Sequence, residues 1–249
     1  LDAELILMFT SGYCREFLRA HDEEELKNPT RQLADRLCDK RAEHEPMAYL
    51  TNHKEFYGRN FYVDKNVLIP RPESEQIIEI LCKLTASQLK SRILDVGTGS
   101  GILAITAKLE LPKAEVTALD ISEPALKVAR QNAEHFSTKI AFIQSDLLKS
   151  VDGEFDIVLA NLPYVSPAWN SDATSPELRA EPQIALYASD DGNALNKKLI
   201  RGAPNKLCVG GYLIMEMDPE QIDTIAKFAK KYGLREILRK PYDLVLQKV

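Results

Sequence analysis

The sequence contains few of the residues that are typical of secreted, zinc-binding or membrane-embedded proteins. Its four cysteines, Cys14, Cys38, Cys82 and Cys208, are widely spaced and form no C-x-x-C pair. Neither a disulfide framework nor a zinc site is therefore predicted, and we expect buried or neutral thiols. No apolar run reaches the roughly 18–20 residues that a membrane span needs, and no N-terminal stretch resembles a signal peptide. These absences favour a cytoplasmic protein.

Basic charge is also scarce. The chain has 32 lysines and arginines against 37 acidic residues, a formal net charge of −5, so no overall positive field attracts nucleic acid. A hydrophobic content of 45% and a charged content of 28% are those of a globular protein. The 249 residues suffice for one α/β domain and a small additional module.

The chain divides into three regions by pattern. Residues 1–52 are predicted to be helical, because apolar residues recur at helical spacing, and Thr30 is the predicted N-cap of the second long helix. Residues 53–72 contain a predicted hairpin, in which aromatic residues flank a Gly/Asn turn. The prolines of the Pro-Arg-Pro segment at 70–72 then impose an extended path.

Residues 73–249 alternate predicted strands and helices. The candidate strands are 91–96, 115–120, 140–144, 155–160, 211–216, 235–238 and 244–248. The candidate helices are 74–89, 102–109, 123–135 and 219–232. This alternation predicts a doubly wound, mainly parallel α/β sheet. The last two strands are separated by a short turn, and such a terminal hairpin favours the methyltransferase form of the sheet over the dinucleotide-binding form.

A glycine-rich turn follows the first strand of this region. Gly97, Thr98, Gly99, Ser100 and Gly101 lie between a buried strand and a helix. Glycine permits positive φ and a close approach of the backbone to a ligand, and the turn is expected to offer free N–H groups at the helix N-terminus.

The next strand ends in Asp120, whose carboxylate can accept hydrogen bonds from both hydroxyls of a ribose. Ligands of open parallel sheets bind outside the C-terminal ends of the strands, where this turn and Asp120 are predicted to meet.

Three alternatives fit this geometry, which are a site for S-adenosylmethionine, a site for NAD, and a tight turn that binds no ligand. The dinucleotide fingerprint is G-x-G-x-x-G, whereas this turn is G-x-G-x-G and Asp95 precedes it by two residues. A carboxylate there repels a pyrophosphate but suits the ammonium and sulfonium charges of S-adenosylmethionine. The pattern thus favours S-adenosylmethionine over NAD, and the position of Asp120 argues against a tight turn without a ligand.

The segment after the third strand is predicted to lie near the adenine. Asp146 can accept a hydrogen bond from the exocyclic amine, and Leu147 can pack on the ring. Taken alone, Asp146 fits a helix N-cap equally well.

The fourth strand ends in the segment Asn161, Leu162, Pro163 and Tyr164. An amide or aromatic amine nitrogen is a poor nucleophile because its lone pair is delocalised. The Asn161 side-chain oxygen and the Leu162 carbonyl can bind its N–H groups and position the lone pair toward a methyl carbon. Pro163 stiffens the turn, and Tyr164 offers a flat face to a planar group. The alternative is a plain Asn-x-Pro turn. The segment follows a methyl-donor turn and ends the fourth strand, and this position favours the catalytic interpretation.

These motifs resemble the protein-(glutamine-N5) methyltransferases that modify the Gly-Gly-Gln motif of class I peptide chain release factors. The resemblance covers nearly the whole chain. Its linker signature lies at 45–50, 55–58 and 68–75, and its insertion after the catalytic loop, which is the segment 161–164, is represented by Glu181-Pro182 and Asp191-Gly192. The Pro-Arg-Pro-Glu segment is far more specific than the glycine turn, which all such methyltransferases share.

The resemblance implies the organisation and the reaction. It implies a helical N-terminal substrate-recognition domain at 1–52, a β-hairpin linker at 53–72 and a class I methyltransferase domain with a seven-stranded, mainly parallel sheet at 73–249. It further implies transfer of a methyl group from S-adenosylmethionine to N5 of the Gly-Gly-Gln glutamine, with S-adenosylhomocysteine as product. Class I release factors are then the partners, and a monomer without stable nucleic-acid binding is expected.

The resemblance also implies residue roles. The donor is expected to contact Asp95, Gly97, Thr98, Gly99, Ser100, Gly101, Asp120, Ile121, Asp146, Leu147 and Asn161. The target amide is expected to contact the catalytic residues Asn161, Leu162, Pro163 and Tyr164. Arg71 and Glu73 either line the substrate mouth or form an ion pair that pins the linker to the catalytic domain.

One residue departs from the family pattern. The family usually has Asn-Pro-Pro-Tyr, whereas this chain has Leu162 at the second position. The carbonyl group is kept and the stiffening ring is lost, so we expect activity with a less preorganised loop.

Two other functions remain open from the sequence. An adenine-N6 methyltransferase acting on DNA or RNA uses the same four-residue loop on a flipped base, but it needs a basic surface. Arg179 is the only basic residue between 161 and 190. A non-catalytic donor-binding or scaffold subunit would normally lose either the glycine turn or the asparagine, and this chain keeps both.

Overall fold

The computed structural model describes residues 1–85, 90–169 and 176–249. Its N-terminal part contains the helices α1 (Asp2–Ser11), α2 (Arg15–Ala20), α3 (Asn28–Ala42) and α4 (Met47–Thr51). They enclose a small apolar core of Ile6, Ala34, Leu37 and Leu50. Helix α3 begins at Asn28 with Lys27 as its N-cap, so the predicted N-cap at Thr30 was wrong. Pro29 occupies the first turn, where its missing N–H would have no partner in the helix anyway.

A hairpin connects these helices to the rest of the molecule. Strands β1 (His53–Phe56) and β2 (Arg59–Tyr62) pair antiparallel. Tyr57 and Gly58 form the turn with φ of 53° and 70°, the left-handed pair that a two-residue type I′ hairpin requires. Phe56 and Phe61 are buried in the core under the main sheet, which anchors the hairpin to the catalytic part.

The main sheet has seven strands. They are β3 (Arg92–Val96), β4 (Glu115–Asp120), β5 (Ala141–Gln144), β6 (Phe155–Asn161), β7 (Leu207–Glu216), β8 (Leu234–Arg239) and β9 (Asp243–Lys248). Their order is β5-β4-β3-β6-β7-β9-β8. The pairs from β5 to β7 are parallel, and β9 is antiparallel to both β7 and β8. The chain order reverses between β3 and β6, and ligands of such sheets bind at that switch point.

Helices cover both faces of the sheet. They are α5 (Glu75–Thr85), α6 (Ile102–Glu110), α7 (Glu123–His135), α8 (Gln183–Leu186), α9 (Ala194–Gly202) and α10 (Ile222–Lys230). Helices α5 and α6 pack on one face, and α9 and α10 pack on the other. Helix α5 covers residues 75–85 of the predicted helix 74–89, and residues 86–89 lie outside the described residues. Helices α8 and α9 were not predicted from the sequence.

Two expectations drawn from absences can be compared with the structure. Among the described helices, none combines the length and the apolar character needed to cross a bilayer. All four cysteines are free thiols; Cys14 and Cys38 are exposed, and Cys82 and Cys208 are partly buried. Cys14 precedes α2 and Cys38 lies on α3, and the small core of this part covers neither of them.

Asn132 on α7 ties the hairpin to the catalytic sheet. Its Oδ1 accepts from the Tyr62 N–H at 2.8 Å, and its Nδ2 donates to the Tyr62 carbonyl at 2.9 Å. The same Nδ2 donates to the Ser100 carbonyl at 2.8 Å, within the glycine turn. Only 1% of Asn132 is exposed, so water cannot replace these bonds. One side chain therefore satisfies backbone groups of two separate segments.

We predict that Asn132→Ala lowers the free energy of unfolding by about 2 kcal/mol or more, since it leaves buried backbone groups without partners. Urea denaturation followed by circular dichroism measures the change. The exposed neighbour Gln131→Ala is the matched control and should change stability by less than about 0.5 kcal/mol. Equal stability of the two variants would contradict this account of Asn132.

Candidate active site

A cavity of about 440 Å³ lies outside the C-terminal ends of β3, β4 and β6. Small-molecule sites typically span roughly 300–1,000 Å³. The predicted residues that line it are Arg71, Gly97, Thr98, Gly99, Ser100, Asp120, Ile121, Asp146, Leu147, Asn161, Leu162 and Pro163. Four other predicted residues, Glu73, Asp95, Gly101 and Tyr164, are not part of this lining in the described chain. The structure thus gathers most of the predicted donor and substrate residues around one space.

The glycine turn uses most of its own N–H groups. Gly97 and Thr98 both donate to the Leu119 carbonyl at 2.8 Å. Gly99 donates to the Asp120 carboxylate at 2.9 Å. The expectation of free N–H groups was therefore wrong for these three residues. A pyrophosphate needs such donors, so the turn suits S-adenosylmethionine better than a dinucleotide.

Asp95 is fully buried below the turn. Its Oδ2 accepts from the Thr98 hydroxyl at 2.6 Å and from the Ala104 N–H at 3.2 Å, which fixes the turn to the start of α6. Burial raises the pKa of Asp95 to about 7, although these two hydrogen bonds oppose the shift. Its Oδ1 is buried without a hydrogen-bond partner among the described residues. A cationic ammonium group is the kind of ligand that compensates such an oxygen, and this contact stays a prediction.

Asp120 is oriented by the backbone around it. Its Oδ1 accepts from the Ser122 N–H and its Oδ2 from the Gly99 N–H, each at 2.9 Å. Burial raises the pKa of Asp120, and these bonds oppose the shift. Each carboxylate oxygen keeps a lone pair for a further donor, as the two hydroxyls of a ribose require.

Ile121 and Leu147 add apolar surface to the cavity. Ile121 is 51% exposed, which is unusual for a residue directly after a buried strand. Leu147 has a φ of 51°, and the Ser145 hydroxyl donates to its carbonyl at 2.7 Å. An apolar surface of this kind suits the face of a planar base.

Asp146 is held by two lysines. Its carboxylate lies 2.6 Å from the Lys149 Nζ and 2.7 Å from the Lys198 Nζ. The hydrogen bond from Lys149, and then that from Lys198, lowers the pKa of Asp146. No helix begins here in the described chain, so the N-cap alternative was wrong. A hydrogen bond to an adenine amine stays a prediction for this residue.

Asn161 is the last residue of β6, and Leu162 follows it beside the glycine turn. The Asn161 Nδ2 donates to the Ser74 hydroxyl at 2.8 Å. Leu162 is only 3% exposed, and a Cβ placed on Gly97 would lie 2.8 Å from its Cδ2. Leu162 is therefore anchored by side-chain packing, which compensates in part for the missing proline ring.

Tyr164 is half-buried and held at both ends. Its hydroxyl donates to the Glu216 Oε1 at 3.4 Å, and burial raises its pKa. Its carbonyl accepts from the Gln221 Nε2 at 2.8 Å, and the same nitrogen donates to the Asp191 carbonyl at 2.8 Å. The predicted stacking of Tyr164 on a substrate amide is not tested by these contacts.

Arg71 agrees with both alternatives, because it lies at the cavity and also forms an ion pair. It lines the cavity, and its Nη2 lies 2.5 Å from the Glu181 Oε1. The other Glu181 oxygen accepts from the Ile69 N–H at 2.9 Å, so this pair fastens the linker to the segment after the catalytic loop. Glu73 is exposed, and its charge contributes to the raised pKa of Glu216.

The same segment is also fastened to the N-terminal helices. Arg41 at the end of α3 lies 2.6 Å from Glu177 and 2.6 Å from Asp2. The hydrogen bond with Asp2, and then that with Glu177, raises the pKa of Arg41. The residues after the catalytic loop thus contact both preceding regions of the chain.

Ser74, Glu216 and Gln221 contact the catalytic loop and were missed in the sequence. A serine after Pro-Glu looks like an ordinary helix start, and a glutamate at the end of a strand looks like a surface residue. The sheet register places Glu216 opposite Asn161, and no spacing along the chain indicates that neighbourhood. Only a prediction of the strand order would have placed Glu216 beside Asn161.

Known proteins resemble this chain over most of its length. Residues 74–189 match the family model described as Methyltransferase small domain, and residues 1–51 match PrmC N-terminal domain. The Release factor glutamine methyltransferase of Neisseria gonorrhoeae is 40% identical over 220 residues, which are 87% of this chain and 79% of that protein. The protein of the same name from Koribacter versatilis is 36% identical over 235 residues, 93% of this chain and 84% of that one.

A solved structure with low sequence identity shares the fold. The 16S rRNA N2 G1207 methyltransferase of T. thermophilus, in complex with AdoMet and guanosine, has a TM-score of 0.58 at 15% identity. The match covers 79% of this chain and 49% of that chain. At this identity the similarity concerns the fold alone, and it confirms the predicted class I methyltransferase fold.

We predict that Gly192→Ala slows methyl transfer about tenfold or more, because misplacement of a catalytic loop is costly. A Cβ at Gly192 would lie 2.7 Å from the Tyr164 carbonyl carbon and would overlap its oxygen. Initial rates with labelled methyl donor measure the effect.

The control is Gly233→Ala. Gly233 has a similar φ, 72° against 80°, but a Cβ there meets nothing within 4 Å. Both variants carry the left-handed strain of roughly 1–2 kcal/mol, so only the loop contact distinguishes them. Equal rates for the two variants would show that Gly192 does not support the loop.

Proposed function

The chain belongs to the release factor glutamine methyltransferases, and from this premise we propose how its residues divide the reaction among them. It is an S-adenosylmethionine-dependent methyltransferase that modifies N5 of the glutamine in the Gly-Gly-Gln motif of class I release factors. The observation that carries the assignment of roles is the shared cavity, where the glycine turn and Asn161 line one space.

The donor half of the cavity binds S-adenosylmethionine in this proposal. When bound, S-adenosylmethionine supplies an activated methyl group with a neutral thioether as leaving group. The free lone pairs of Asp120 accept the ribose hydroxyls, and Ile121 and Leu147 cover the adenine. Asp146 accepts from the adenine amine, and the buried Asp95 oxygen offsets the ammonium charge. The glycines at 97–101 let the backbone approach the ligand closely.

The target half holds the glutamine amide. The Asn161 Oδ1 and the Leu162 carbonyl accept its N–H groups and direct its lone pair at the methyl carbon. Positioning carries most of the rate enhancement in such a displacement, because a held nucleophile has lost its translational freedom before the reaction. Pro163 limits movement of the loop, and Tyr164 borders the amide. Arg71 shapes the mouth through its ion pair with Glu181.

The three regions of the chain have separate tasks in this proposal. Residues 1–52 recognise the release factor outside its Gly-Gly-Gln loop. Residues 53–72 connect these helices to residues 73–249, which catalyse the methyl transfer. Phe9 on α1 and Tyr13 between α1 and α2 are 44% and 48% exposed, and exposed aromatic side chains are frequent at protein interfaces. A release factor works at the ribosome, so we place the enzyme in the cytoplasm, and we propose that it acts as a monomer.

The direct test is transfer of labelled methyl from S-adenosylmethionine to a purified class I release factor and to its Gln→Ala variant at the Gly-Gly-Gln motif. We predict label on the native factor alone, and loss of transfer in Asn161→Ala with donor affinity nearly unchanged, since the main proposed role of Asn161 is to hold the target amide. Calorimetry measures donor binding. Label on DNA or RNA in place of the factor would move the assignment to an adenine-N6 methyltransferase.

A second prediction concerns recognition. Phe9→Ala combined with Tyr13→Ala should raise the KM for the release factor about tenfold, the loss expected when aromatic anchors of an interface are truncated. The kcat and the donor affinity should stay unchanged. Val209→Ala removes an apolar side chain that is 82% exposed on the catalytic domain and serves as the control. An equal KM for both proteins would remove Phe9 and Tyr13 from the interface.

A further inference from the structure

A row of three polar side chains crosses the sheet beside the catalytic loop. Asn161 on β6 is in register with Glu216 on β7, and Glu216 is in register with Asp243 on β9. The two acids are only 1% and 2% exposed. A buried carboxyl group destabilises a protein unless polar partners compensate it. The partners of Glu216 therefore indicate what this acid does.

Three side chains of the active site surround Glu216. Burial raises the pKa of Glu216, and hydrogen bonds from the side chains of Ser74, Tyr164 and Asn161 oppose that shift. The Tyr164 hydroxyl donates to its Oε1 at 3.4 Å. A carboxylate has acceptor oxygens and no proton of its own. The Oε2 of Glu216 is buried without a hydrogen-bond partner among the described residues, so it calls for a proton from a neighbouring donor.

This requirement decides which way the Asn161 amide points. The Ser74 hydroxyl accepts from the Asn161 Nδ2 at 2.8 Å, so its own single proton is directed away from that amide and is available to the Glu216 Oε2. A flipped amide would place the Asn161 oxygen against Ser74 and beside the carboxylate of the neighbouring strand. The Nδ2 thus faces Ser74, and the Oδ1 is left for the cavity.

We propose that Ser74 and Glu216 are positioning residues for the transfer, because they hold the Asn161 amide with its oxygen directed at the target glutamine. The inference rests on the proposed function of Asn161 as the acceptor for the target amide. Glu216 holds the Tyr164 hydroxyl as well, so one carboxylate orients both polar side chains of the catalytic loop. Neither Ser74 nor Glu216 contacts the reacting atoms in this assignment.

The test compares Glu216→Gln and Ser74→Ala with the native enzyme. A glutamine at 216 keeps the volume but can donate as well as accept, so Asn161 is free to flip. We expect kcat for the release factor to fall about ten- to hundredfold in either variant, with the donor Kd unchanged. The double variant should lose less than the product of the two single losses, because both substitutions release the same amide.

Asp243→Asn is the matched control. Asp243 is a second buried acid in the same row, and burial, followed by the charge of Glu216, raises its pKa to about 7. It is separated from Asn161 by β7, so its neutralisation should leave kcat unchanged. If Glu216 served only as part of a buried acid pair, Glu216→Gln and Asp243→Asn would have the same effect on kcat, and the proposal would be overturned.

Nuclear magnetic resonance reports on the amide directly. The side-chain amide signals of Asn161 are identified by their absence in Asn161→Ala. We expect slow hydrogen exchange of these protons in the native enzyme and in Asp243→Asn, and faster exchange in Glu216→Gln and Ser74→Ala. Fast exchange in the native enzyme would overturn the proposal, since both protons would then be free.

The outcomes separate the two levels of the assignment. Retained transfer in Asn161→Ala would overturn the proposed role of Asn161 itself. Loss of transfer in Asn161→Ala together with native kcat in both Glu216→Gln and Ser74→Ala would leave that role intact and overturn only the positioning by Ser74 and Glu216. A melting temperature for each variant shows that the fold is retained.

Discussion

The parallel pairing of β3 with β6 is the constraint on which the site depends. Val96 and Ala160 are in register, so Gly97, which follows β3, and Asn161, which ends β6, lie side by side at the edge of the sheet. The donor turn and the target loop therefore meet without any long connecting segment. This register brings Leu162 against Gly97, and the packing between them fixes the position of the catalytic loop relative to the sheet.

The remaining elements stabilise that meeting point from several sides. Asp95 and Asn132 hold the glycine turn from below, through Thr98, Ala104 and the Ser100 carbonyl. Gln221 holds the far end of the catalytic loop. Each of these contacts is a buried polar side chain bonded to a turn or a loop. This use of buried polarity explains why the core carries acids and amides that the packing of the sheet alone does not require.

Much of the fold and of the site could be predicted from the sequence, because short-range patterns carried the information. The alternation of apolar runs and glycine turns located all seven strands of the main sheet, and β4 and α7 have the predicted bounds. Asp120 and Asn161 were found because each ends a strand next to a recognisable turn. Thr30 was misassigned because Pro29 moves the helix start back to Asn28. Glu216 was missed because its place opposite Asn161 depends on strand order, which local spacing does not encode. Ser74 was missed because its hydrogen bond joins it to a residue 87 positions away in the chain.

The two ion pairs that fasten the segment after the catalytic loop differ in how far water reaches them. The side chains of Arg71 and Glu181 are 33% and 2% exposed, whereas those of Arg41 and Glu177 are 24% and 41% exposed. Dissolved ions screen solvent-exposed charges far more than buried ones. Rising ionic strength therefore weakens the attachment to the N-terminal helices before it weakens the attachment to the linker. The ion pair of Arg71 with Glu181 at the cavity wall keeps its strength in added salt, whereas the ion pair of Arg41 with Glu177 becomes weaker.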